Sequence, residues 1–137
     1  MKYATEYSEI SENIVPKIPS SEVGAQVIEE LTVRGINTIA TMGFSVAQAQ
    51  AMAEAHARGL RKSKDNTHCF VVYIPGIYLD YLNEQVSQKK TDIEPEILGC
   101  AGILISRRIY QLFKERKYKA DLNGVANGNF MPKGDCF

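Results

Sequence analysis

The chain has 137 residues, 45% of them hydrophobic and 23% charged, a composition far from that of disordered proteins and sufficient for one core without covalent staples. Sixteen basic side chains balance sixteen acidic ones, so no overall field draws the molecule to nucleic acid or anionic lipid. Cys69, Cys100 and Cys136 are odd in number and follow no framework spacing, which argues against a secreted disulfide scaffold and for a reducing, cytoplasmic compartment.

No signal-peptide pattern opens the sequence and no apolar run approaches the roughly 20 residues that span a bilayer, so no membrane association is expected. Charge is nonetheless unevenly spread. Residues 1–30 carry two basic and six acidic side chains, net −4, whereas residues 107–119 carry six basic and one acidic, net +5. Such an acidic start is suited to lie on a basic end, within one chain or between two.

Residues 1–19 hold scattered apolar positions with Pro16 and Pro19, spaced to discourage a helix, and are expected to form an extended or flexible arm. Val23, Val27, Ile28 and Leu31 then recur at helical spacing between Ser20 and Gly35, predicting a helix over 21–34. Residues 36–42 suit a strand by β-branched content and a two-turn helix by length. Ser45 and Gln48 form a capping box ahead of an alanine-rich helix over 46–58. Residues 68–74 are the clearest strand, closed by Pro75-Gly76.

Helical spacing returns over 77–90, and Pro95 opens a long helix running to about Lys119, with a strand followed by a shorter helix as the alternative. Residues 97–106 have no charged face, so protein is expected to enclose them on every side. The tail over 121–137, with Asn123-Gly124 and Asn127-Gly128, reads as a loop. The expected organisation is one helix-rich α+β domain over 20–120, of about four helices with one or two short strands.

Several constellations carry candidate chemistry. His68 and Cys69 are adjacent, but strand neighbours point to opposite faces, so a Cys69 nucleophile needs His56 or another group as its base. His56, His68 and Cys69 lack metal-site spacing, and no phosphate loop or dinucleotide fingerprint is present; no metal and no cofactor is expected. Asp80 and Glu84 read as a wet helix face.

If residues 37–42 are helical, Gly43-Phe44-Ser45 resembles the turn of a helix-turn-helix, with Gln48 and Gln50 facing bases and Arg58, Arg61, Lys62 and Lys64 on phosphates. On the last helix, Arg107 and Arg108 follow the apolar run at expected half-buried positions and, with Tyr110 and Lys114, form the first candidate ligand site.

The sequence therefore points to a non-enzymatic, cytoplasmic binding protein. It is expected to self-associate through the 97–113 helix and to recognise a protein partner or a small anionic ligand through that helix's basic end. DNA binding through residues 21–64, and a small enzyme using Cys69 with a histidine, are the alternatives.

Overall fold

The computed structural model of the chain describes residues 2–11 and 13–124. In chain order the elements are α1 (Lys2–Ser8), β1 (Lys17–Pro19), α2 (Glu22–Val33), β2 (Thr38–Gly43), α3 (Val46–Lys62), β3 (Cys69–Tyr73), α4 (Pro75–Lys89), α5 (Pro95–Arg116) and β4 (Asp121–Gly124). The four strands form one sheet in the order β1-β2-β3-β4, and every neighbouring pair is parallel. Sequential parallel strands joined by right-handed crossovers put all their linking helices on one face of the sheet. The helix-rich α+β expectation is thus overturned: the fold is α/β, a parallel sheet alternating with helices.

Local signals explain the helix ends. Ser21 caps α2 by accepting from the Gly24 N–H at 3.0 Å. Gly35, at φ +77°, stops it, with the Gly35 and Ile36 amides turned back onto the Thr32 and Leu31 carbonyls. At α3, Ser45 accepts from the Gln48 N–H at 3.1 Å, while Gln48 Oε1 reaches back to the Phe44 amide at 3.0 Å, one residue before the expected cap amide. The long helix is continuous and ends at Arg116, with Lys117 left-handed at its cap.

Three segments depart from expectation. Residues 36–42, ambiguous by periodicity, supply β2, because parallel partners on both sides satisfy its backbone. The expected arm contains α1 and β1, and the expected loop at 121 begins with β4. Asn127-Gly128 and Cys136 lie outside the described residues.

One core lies between the helices and a single face of the sheet. Ile18, Ala40, Cys69, Val71 and Tyr73 from the strands meet Ile28 and Leu31 of α2, Ala49, Met52 and Ala53 of α3, and Ile109 and Phe113 of α5. The alanines of α3 allow close approach: a Cβ placed on Gly59 would stand 2.5 Å from the Thr32 Cβ. Glu29 ties α2 to α3 through Arg58 at 2.7 Å and Lys62 at 2.5 Å.

The α4–α5 layer is packed more loosely. Only Pro75 and Gly76 of α4 are buried, and α4 rests on α5. Along α5, Leu98, Gly102, Ile109, Leu112 and Phe113 are buried, yet Ile97 is 62% and Leu104 56% exposed. The expectation that residues 97–106 are enclosed on every side does not hold: α5 is enclosed on the sides facing α3, α4 and β4 and open on another.

Candidate active site

The two faces of the sheet differ in what covers them. On β1 the pattern is exposed, buried, exposed, with Ile18 in the core. Alternation therefore turns Lys17 to the face opposite the helices. Strand register carries that assignment across the sheet, because Lys17 pairs with Ile39, Ile39 with Phe70 and Phe70 with Asp121. Ile39 and Phe70 are partly buried, and Lys17 and Asp121 are exposed. Among the described residues Lys17 is the one lysine borne by a strand, and its row neighbours Ile39 and Phe70 are apolar.

The C-terminal ends of β1 and β2 are tied together just beyond it. Ser20 N–H donates to the Thr41 carbonyl at 2.7 Å, and Gln48 Nε2 donates to the Ser20 carbonyl at 3.0 Å. Gln48, expected to face bases, is instead a brace between the end of β1 and the start of α3. Ser20 is buried, and its hydroxyl has no partner among the described residues.

From Ala40 to Gly43 strand β2 advances three residues while β3 advances two, a bulge that holds Met42 at φ 60°. A non-glycine residue in the left-handed region costs roughly 1–2 kcal/mol, and such strain concentrates at functional edges. Gly43 is required next to it, because a Cβ there would meet the Val72 carbonyl oxygen at 2.7 Å.

The other candidate residues are elsewhere. Cys69 is fully buried on the helix-facing side, and desolvation pushes its thiol up to about 11, the reverse of what a thiolate nucleophile needs. His56 is buried too, with Nε2 3.1 Å from the Thr67 carbonyl, and burial lowers its pKa. His68 is exposed, with Nδ1 3.7 Å from Asp121. The reading of Cys69 with a histidine as a catalytic pair is corrected accordingly.

The helix-turn-helix is corrected as well, since β2 occupies the place of its second helix. Gln50 donates to Glu54 at 2.8 Å, Arg58 and Lys62 hold Glu29, and Arg61 and Lys64 are exposed. Arg107 and Arg108 are exposed on α5 rather than half-buried; Arg108 lies 3.3 Å from Glu115. The Lys114 ammonium sits 4.7 Å above the Tyr110 ring, and both line a depression of about 230 Å³ with Lys117 and Asp121. None of this α5 group stands in the Lys17 row. Among the described residues no helix is long and apolar enough to cross a membrane, and no group of three or more His, Cys, Asp or Glu is placed to hold a metal ion.

Lys17 escaped the sequence reading because prolines two residues apart look like a linker. The usable signal was the alternation inside Val15-Pro16-Lys17-Ile18-Pro19. Proline is tolerated at an edge strand, where a missing donor costs no ladder bond.

Sequential parallel strands, helices on one face and a lysine on the other define the β/α-barrel class of sheet, whose reactive groups stand on the inner face and at the strands' C-terminal ends. Residues 1–127 match the family model described as Transaldolase/Fructose-6-phosphate aldolase, and the chain belongs to that family. Over 109 residues it is 46% identical to the transaldolase of Thiobacillus denitrificans, covering 75% of this chain and 30% of that protein. It is 26% identical over 110 residues to the transaldolase of Renibacterium salmoninarum, 76% and 29% of the respective chains. A probable transaldolase of Thermodesulfovibrio yellowstonii is 42% identical over 57 residues, 42% of this chain and 27% of that protein. The chain therefore spans about 30% of the length of these relatives. Membership of an enzyme family overturns the expected non-enzymatic binder, together with its protein-binding and DNA-binding descriptions.

Proposed function

We propose that this chain carries the amine of an aldolase or transaldolase site, with Lys17 as the nucleophile. The observation that supports it most is the position of Lys17, a strand-borne lysine beside the apolar Ile39 on the sheet face that no helix among the described residues covers. A lysine amine is a nucleophile that attacks ketones to form an imine.

The chemistry needs nothing more exotic than an imine. The Lys17 amine condenses with a ketose carbonyl at C2 and releases water, giving a protonated imine. The C3–C4 bond then breaks, its electron pair moving into the imine to leave an enamine on Lys17. The C4 hydroxyl loses its proton and departs as an aldehyde. Protonation of the enamine at C3 followed by hydrolysis completes an aldolase cycle; addition of the enamine to a second aldehyde completes a transfer.

Fructose 6-phosphate, named in the family description, is the first substrate to try. Cleavage between C3 and C4 releases glyceraldehyde 3-phosphate, which a coupled assay detects. The full chain is expected to release it, and Lys17→Met to lower the rate by roughly a thousandfold or more. Equal rates for the two proteins, or none above buffer for either, overturn the reading.

A further inference from the structure

The bulge near the end of β2 gives the face that carries Lys17 one side chain more than plain alternation supplies. Ala40 pairs with Val71 and Gly43 with Tyr73, and Val71 and Tyr73 both face the core. Residues with the same facing are normally separated by one residue of opposite facing. Here two residues, Thr41 and Met42, stand between Ala40 and Gly43. Thr41 is partly buried and Met42 is 48% exposed, so both fill one slot on the face of Lys17 and Ile39.

Met42 is held there against a backbone preference. At φ 60° it occupies the left-handed region, where glycine escapes the steric penalty that a Cβ brings. A bulge needs a residue in that conformation but no long side chain on it. Strain retained at the C-terminal end of a strand, beside a reactive group, points to a use for the side chain that causes it.

We propose that Met42 sets substrate selectivity at Lys17: its side chain is the wall on the β2 side of the imine carbon and limits the size of the ketone that Lys17 accepts. This inference rests on Lys17 as the nucleophile.

The strand register supports the placement. Thr41 pairs with Pro19, two residues beyond Lys17 and about 6.6 Å further along the strands. A lysine whose four-carbon stem lies along the strand carries its amine about that far, to the level of Thr41 and Met42. Reactive groups of sequential β/α sheets gather in that direction, at the strands' C-terminal ends. Neighbouring strands are about 4.8 Å apart, so a long side chain on β2 at that level stands against a carbon bound to an amine on β1. The wall is fixed relative to the amine, because the Ser20 amide donates to the Thr41 carbonyl at 2.7 Å and the Ile74 amide to the Gly43 carbonyl at 3.1 Å. Methionine is apolar and unbranched, so it selects by bulk rather than by holding a hydroxyl.

The test traps the imine with simple ketones and needs no bond cleavage in the ketone. The Lys17 amine condenses with the ketone and releases water. Cyanoborohydride then delivers hydride to the imine carbon, the C=N electron pair moves to nitrogen, and a stable secondary amine remains. Acetone and 3-pentanone are offered to the full chain, to Met42→Gly and to Met42→Leu. Labelling of the Lys17 peptide is read by mass relative to the exposed Lys64. The unaltered chain is expected to prefer acetone at Lys17 by at least about tenfold over the preference at Lys64. Met42→Gly should reduce that excess to about twofold or less, and Met42→Leu should keep it. Met42→Gly should unfold no earlier in urea, since relief of the left-handed strain offsets glycine's extra freedom in the unfolded chain. An excess unchanged in Met42→Gly, with Lys17 labelled, overturns the role of Met42 and leaves the nucleophile standing. Loss of the excess in Met42→Leu overturns it too, since bulk then does not select. No adduct on Lys17 with either ketone in any of the three proteins overturns the nucleophile reading and this inference with it.

Discussion

The two faces of this sheet are built from alternate residues of the same short strands and have opposite fates. One face, with Ile18, Ala40, Val71 and Tyr73, is sealed under α2, α3 and α5. The other, with Lys17, Ile39, Phe70 and Asp121, has no helix over it among the described residues and carries charge at both edges. The first face holds the core and the second bears the lysine proposed as the nucleophile, and a one-residue slip of β1 would exchange them.

Changes to the sealed face should therefore cost folding, and changes to the open face chemistry. The largest stability effect is expected at Leu31, fully buried on α2. Leu31→Ala should lose about 2–5 kcal/mol in urea unfolding, whereas Lys17→Met should shift it by no more than about 0.5 kcal/mol. Similar losses for the two would erase the distinction between faces. Gly59→Ala forces a methyl to within 2.5 Å of Thr32 and should cost about 1–3 kcal/mol, read from the same curves.

A smaller, pH-dependent effect is expected from His56. Burial holds its folded-state pKa below 6.5, so the unfolded chain binds the proton more readily. Its contribution is complete above about pH 6.5 and declines as pH falls below that value towards the lowered folded pKa. The unfolding midpoint should drop between pH 7 and pH 5, and His56→Gln should flatten that slope; an unchanged slope would show that other groups set it. A small effect also belongs to Glu29, whose carboxyl is held below the usual range by Lys62 and Arg58. Because those partners are largely solvent-exposed, Glu29→Gln should cost no more than about 1 kcal/mol, less at high salt.

Helices were legible where side-chain period and end signals agreed. Ser45 with Gln48, and Gly35 after Leu31, each marked an end within a residue or two of its place. Strand β3 was visible because Phe70, Val71, Val72 and Tyr73 are aromatic or β-branched and Pro75-Gly76 closes the run. The fold class was not legible. Strand β1 has three residues, β4 has four, and β2 is defined by its neighbours rather than by its own period. Parallel pairing joins Lys17 to Ile39 and Phe70 to Asp121 across long stretches of chain, and local propensity contains none of that information.

The site was missed for the same reason. Lys17 is conspicuous only once its strand is known to lie in a sheet whose helices, among the described residues, pack on the other face. The arginines of α5 stood out in sequence because they follow an apolar run, yet the helix places them outward on the layer remote from the sheet's open face.

Whether the open face is reactive is read most directly by borohydride reduction of the chain incubated with fructose 6-phosphate, followed by peptide mass mapping. One covalent adduct is expected, on the peptide containing Lys17, formed only when sugar and reductant are both present. Labelling spread over the surface lysines, or an adduct that survives in Lys17→Met, would contradict it.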